Sequence, residues 1–147
     1  MRKNLPEFDL DSYLPYQFSV ISSYLSNNLA TQYRERHGIS VPEWRILVNL
    51  AYSDSLSVRD IQWRVSMDKS KISRAVTRLD SAGYLTKRTD PEDRRLLELA
   101  LTEKGYELVA ELVPIAKRFQ GELQERLSTK FAPLKSALDD IMKEIEK

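Results

Sequence analysis

Apolar residues recur at helical spacing along most of this chain, and the spacing breaks at one place. The stripe Leu14, Phe18, Ile21, Leu25, Leu29 and Tyr33 predicts a long first helix. Pro15 is tolerable only in its first turn, and Arg36-His37-Gly38 marks its end. Tyr13, Tyr16, Val20 and Tyr24 add apolar surface off that stripe, and the tail up to about Asp11 is expected to order only against a partner. A second helix is predicted from Pro42 to about Tyr52, with Trp44, Leu47, Val48 and Ala51 inward. Val58, Ile61 and Val65, behind a Ser57 cap, predict a short third helix. Ile72, Ala75, Val76 and Leu79 form the seam of a fourth over 68–82, begun by Asp68 and ended by Gly83.

After Gly83 the period changes. Tyr84–Arg88 and Leu96–Leu101 read as strands, joined by the polar Thr89–Arg95 with Asp90-Pro91 as a turn signal. Two short helices joined by Ser66-Met67 and followed by a hairpin make a winged helix. Beyond Gly105, Tyr106, Val109, Val113, Ala116, Leu123 and Leu127 predict another long helix, with Phe119 beside the seam and a kink at Pro114. Leu134, Leu138, Ile141 and Ile145 predict the last one. The expected fold is mainly α with a small β-hairpin wing. Residues 38–105 form the winged helix-turn-helix, and 1–37 with 106–147 form a helical dimerisation region. These flanking helices exceed what a winged helix needs to close its core, and a homodimer that interlocks them is the economical explanation.

The fourth helix carries the candidate chemistry. Opposite its seam stand Ser70, Ser73, Arg74, Thr77 and Arg78, with Lys71 on the flank and no carboxylate among them. Hydroxyls and cations on one outward face suit a phosphate backbone and base edges, so double-stranded DNA is the expected partner. Arg74 and Arg78 lie one turn apart; one of the two is expected to read a guanine edge and the other to pin a phosphate. The whole chain has a net charge of only +1, yet residues 58–88 hold eight Lys/Arg against three Asp/Glu, a local +5. That concentration is the electrostatic footprint of nucleic-acid binding, and its modest size implies weak non-specific affinity.

Composition closes other routes. Cysteine is absent and His37 is the single histidine, which leaves no disulfide, thiolate metal site, zinc site or thiol redox sensor. There is no Gly-rich phosphate loop and no nucleophile elbow, so neither an enzyme nor a cofactor is expected. No apolar run is long enough to span a bilayer and the first residues lack a signal-peptide core, so a cytoplasmic protein away from membranes is expected.

Ile72-Ser-Arg-Ala-Val-Thr-Arg-Leu-Asp-Ser-Ala-Gly-Tyr-Leu85 and Asp90-Pro-Glu-Asp-Arg-Arg95, followed by Leu101-Thr-Glu-Lys-Gly105, resemble the MarR family of bacterial transcription regulators. The family pattern D-x-R then L-T-x-x-G is met by Asp93, Arg95, Leu101, Thr102 and Gly105, and His37–Leu47 resembles the family's entry to its second helix. Where the family usually has a small Ala, this chain has Gln62 beside the bulky Trp63. The resemblance implies a dimeric regulator, most simply a repressor, on a pseudo-palindromic operator. It places helix 68–82 in the major groove and wing 84–101 in the minor groove. It further implies that Arg95 enters the minor groove with Asp93 orienting it, and a narrow A·T-rich groove favours a guanidinium physically; the other reading is a surface ion pair. Arg94 is expected at a phosphate.

Many members of the family also answer to a small aromatic or phenolic effector held between the dimer helices and the DNA-binding lobe. Tyr13, Tyr16, Tyr24, Trp44, Arg34 and Arg45 either line such a pocket here or simply pack that junction. Two other classes of function stay open at this point: a winged helix used for protein–protein contact, and a sequence-indifferent architectural DNA binder.

Overall fold

A computed structural model describes residues 4–53, 55–89, 92, 93 and 97–146, in two units, residues 1–109 and 110–147. The first unit begins with a single 3-10 turn, Leu10–Ser12, where the Ser12 hydroxyl donates to Asp9 (2.6 Å) and Phe8 meets Tyr13 edge-on. The tail is therefore locally structured, although Leu5, Phe8 and Leu10 stay exposed. Helix α1, Leu14–His37, follows with its proline in the first turn. Gly38 ends it at φ +66°, a left-handed conformation that favours glycine. Only Ala30 and Tyr33 of α1 are buried; Leu14, Phe18 and Ile21 of the predicted stripe are exposed.

Helix α2, Val41–Ala51, starts one residue before the predicted Pro42, because Ser40 is its cap. The Glu43 N–H donates to Ser40 Oγ at 3.3 Å and the Ser40 N–H to Glu43 Oε2 at 3.1 Å, a reciprocal capping box. The inward face differs from the prediction. Glu43, Ile46, Leu47 and Leu50 are buried, while Trp44, Val48 and Ala51 are half-buried. A charged residue at the head of the stripe hid the true face.

Strand β1, Leu56–Ser57, was not legible in the sequence; two residues give no period. It leads into α3, Val58–Val65, capped by a second box between Ser57 and Asp60. Ser66 takes the left-handed conformation (φ +53°), which turns the chain sharply into α4, Lys69–Ser81. There the Asp68 carboxylate accepts from the Lys71 N–H at 2.9 Å. At the far end Gly83 (φ +82°) donates to the Asp80 carbonyl and Tyr84 to the Leu79 carbonyl, the paired bonds of a Schellman stop. Trp63 is 76% exposed, so the seam of α3 is made by Ile61 and Val65 and the bulky neighbour of Gln62 stays out of it.

Strands β2, Leu85–Thr89, and β3, Leu97–Leu101, pair antiparallel with Leu85 opposite Leu101, and β1 joins the other edge of β3. Ile46, Leu47, Leu50, Ile61, Ile72, Leu79, Leu85 and Leu99 are almost wholly buried and form the core under the sheet and the α2–α4 helices. Helix α5, Glu103–Leu127, then begins and runs unbroken through Pro114. The proline removes one backbone donor without ending the helix. In the second unit a 3-10 turn, Ser128–Lys130, leads to α6, Phe131–Glu146, whose Leu134, Ile141, Met142 and Ile145 are exposed. Among the described residues no helix is long and apolar enough to cross a membrane.

Candidate nucleic-acid interface

The buried seam of α4, Ile72, Ala75, Val76 and Leu79, fixes which face of that helix points out. Ser70, Lys71, Ser73, Arg74, Thr77 and Arg78 are all exposed, as the periodicity predicts. Five of these six sort onto two flanks. Lys71, Arg74 and Arg78 line a cleft of about 480 Å³ together with Ser22, Ser26 and Arg45. Ser73 and Thr77 line another of about 360 Å³ with Lys69, Arg59, Gln62 and Lys87. One flank is therefore cationic, and the other presents hydroxyls ringed by cations from α3, α4 and β2.

Local bonds define what these groups can do. The Thr77 hydroxyl donates to the Ser73 carbonyl at 2.9 Å, which leaves its lone pairs and methyl group to the outside. Arg78 Nε donates to Glu43 Oε1 at 2.7 Å; the arginine side chain is 61% exposed and the glutamate side chain 8%. Lys87 meets Asp80 at 3.5 Å and Arg88 meets Glu98 across the strand pair at 3.6 Å. Arg59, Lys69 and Lys87 all belong to the segment of local +5. Their arrival around Ser73 and Thr77 depends on how α3 and β2 pack, which no local spacing encodes. Nothing in the local sequence marked Glu43 as a partner of Arg78.

The base of the wing is built on Thr102 and Gly105. The Thr102 hydroxyl donates to the Gly83 carbonyl at 2.6 Å and accepts from the Gly105 N–H at 3.1 Å. A β-carbon at position 105 would run into the Tyr84 carbonyl oxygen. Lys104 donates to the Ala82 carbonyl at 2.7 Å and lies over the Tyr84 ring, 4.7 Å from its centroid. The L-T-x-x-G sequence thus ties the start of α5 to the end of α4, which sets where the hairpin leaves the lobe. Asp93 is half-buried; Arg94 and Arg95 lie outside the described residues.

Of the six residues expected at an effector pocket, the clefts found among the described residues include one. Arg45 alone of the six lines the cationic cleft, and it donates to Ser26 Oγ at 3.1 Å. Trp44 packs against Tyr33, with ring centroids 4.9 Å apart. Tyr13, Tyr16, Tyr24 and Arg34 are exposed. Tyr33 itself is completely buried and its hydroxyl has no hydrogen-bond partner; burial pushes its phenol up from the usual value.

Residues 37–96 match the family model described as MarR family. The winged helix of this chain is that of the MarR family. The chain is 31% identical over 91 residues to the uncharacterized HTH-type transcriptional regulator YdgJ of Bacillus subtilis, an alignment covering 62% of this chain and 56% of YdgJ. It spans just over half the length of the first curated relatives it matches. A MarR/EmrR family transcriptional regulator from Acinetobacter sp. ADP1 superposes at a TM-score of 0.81 with 26% identity, covering 95% of this chain and 99% of that one. NadR, solved in complex with 4-hydroxyphenylacetate, superposes at a TM-score of 0.78 with 21% identity over 97% of this chain and 99% of NadR. The elements that carry the family's sequence pattern here are α4, the wing base and the start of α5.

Proposed function

We propose that this chain is a sequence-specific DNA-binding transcription regulator acting in the cytoplasm as a homodimer, and that it represses from a pseudo-palindromic operator. The observation that carries the reading is the outward face of α4. From Lys69 to Arg78 it exposes four cations and three hydroxyls without a carboxylate, while its anions are confined to the cap Asp68 and to Asp80 near the end. In the major groove, Arg74 reads a guanine edge and Lys71 and Arg78 hold phosphates, with Ser70, Ser73 and Thr77 on backbone oxygens or the thymine methyl. The wing follows the groove outward, with Arg95 in the minor groove, Asp93 orienting it and Arg94 at a phosphate.

A second copy accounts for the uncovered apolar surface of each unit. Tyr13, Leu14, Tyr16, Phe18, Val20, Ile21 and Tyr24 on or beside α1 are exposed, and so are Leu134, Ile141, Met142 and Ile145 on α6. Surface of this kind on terminal helices suits a twofold mate better than water. Sedimentation of the protein with a short duplex tests this reading. Two chains per duplex, with affinity falling steeply as salt rises, is the expected result; one chain per duplex, or binding indifferent to salt, contradicts it.

For the effector, a small phenolic acid fits the chemistry of Tyr13, Tyr16, Tyr24, Trp44, Arg34 and Arg45: rings for the ring and a guanidinium for the carboxylate. The NadR complex is a precedent in the same fold. Added 4-hydroxyphenylacetate is expected to raise the unfolding temperature and weaken operator binding. Unchanged operator affinity at saturating ligand contradicts effector control.

A further inference from the structure

We propose that Glu43 is a positioning residue for DNA binding: its buried carboxylate holds the Arg78 guanidinium in place on the recognition helix. The inference rests on the reading of α4 as the helix that meets DNA. Glu43 is the one buried charged residue among those described as buried, at 6% exposure. Both of its oxygens are used. Oε2 accepts from the Ser40 N–H at the start of α2, and Oε1 accepts from Arg78 Nε at 2.7 Å.

An anion removed from water is costly unless it is paired and hydrogen-bonded, so this carboxylate has little freedom to leave. It is also anchored by its own backbone, because the Glu43 N–H closes the capping box on Ser40 Oγ. The N-terminal end of α2 adds a favourable dipole. Glu43 is therefore a fixed point at the head of one helix, and Arg78 on α4 is tied to it. With Nε committed inward, a phosphate meets the Nη edge of a guanidinium that is already oriented and 61% exposed. An arginine free in solvent loses rotamer entropy when it docks, and one held beforehand loses less; the difference corresponds to roughly two- to tenfold in affinity.

A double-mutant cycle on DNA affinity tests the assignment, using the full chain, a short duplex, and the variants Glu43→Asp, Arg78→Ala and the two together. Aspartate at this position can still close a capping box, as Asp60 does with Ser57 in α3 at 3.0 and 3.3 Å, but it is one methylene short of Arg78. Glu43→Asp is expected to weaken binding roughly two- to tenfold in the otherwise natural chain and to have no further effect beside Arg78→Ala. Affinity is measured well below the unfolding temperature of every variant, and a loss from Glu43→Asp that disappears beside Arg78→Ala separates positioning from a purely structural role. Should the aspartate variant not fold, Glu43→Gln takes its place in the same cycle with the same expected pattern. An unchanged affinity for the Glu43 variant, or an equal loss with and without Arg78, overturns this inference alone. Failure of the natural chain to bind any duplex overturns the DNA reading along with it.

Discussion

Gly105 lies directly against the carbonyl oxygen of Tyr84, so closely that a β-carbon cannot be placed between them. The contact joins the first turn of α5 to the residue that leads into β2, and Thr102 bonds both sides of it. Gly105→Ala must therefore move backbone rather than a flexible side chain. A loss of about 1–3 kcal/mol is expected, as for other overpacked sites, read as a lower denaturant midpoint with an unchanged slope.

Arg74 stands on the cationic flank of α4, one turn before Arg78. Arg74→Ala is expected to cost about 1–3 kcal/mol at one base position and to relax the preference there. Binding to a panel of singly substituted duplexes reads this directly. A uniform loss across the panel would make Arg74 a phosphate contact instead.

Asp68 caps α4 through a single short bond to the Lys71 N–H. Asp68→Ala is expected to lower stability by about 1 kcal/mol, within the range measured for such caps. Asp68→Ser should recover most of that loss in thermal unfolding, because serine can also accept from the helix N-terminus.

Tyr33 is fully buried with an unpartnered hydroxyl, so Tyr33→Phe is expected to be neutral or stabilising. A pH dependence follows from the raised phenol. The unfolded tyrosine ionises near pH 10 while the folded one keeps its proton. The unfolded state thus binds fewer protons above that pH, and stability present below it is lost as pH rises. Above about pH 10 the natural chain is expected to lose stability more steeply than Tyr33→Phe. Parallel stability curves for the two proteins would contradict this.

The helix-turn-helix was readable in the sequence because each of its seams is locally complete. Ile72, Ala75, Val76 and Leu79 point one way, so the outward set follows by geometry, and Asp68 and Gly83 mark the ends with their own chemistry. Helix α2 was misread for a physical reason. Its buried positions 43, 46, 47 and 50 do follow helical spacing, but the first is a glutamate whose charge is paired with Arg78, far away in sequence. The two-residue β1 carries no period at all. Clefts that bring Arg45 to Arg74, or Lys87 to Thr77, belong to the packing of separate elements and have no signature in either segment. The proposed effector residues show the same limit, since exposed aromatics on α1 acquire neighbours only when something covers them.

The most direct measurement of the central claim is selection of the full chain on a random duplex library at about 150 mM salt, followed by sequencing. The account predicts enrichment of an inverted repeat with half-site centres about one helical turn apart, roughly 34–36 Å. A folded protein that enriches no sequence would contradict it and point instead to a protein partner or a sequence-indifferent role on DNA.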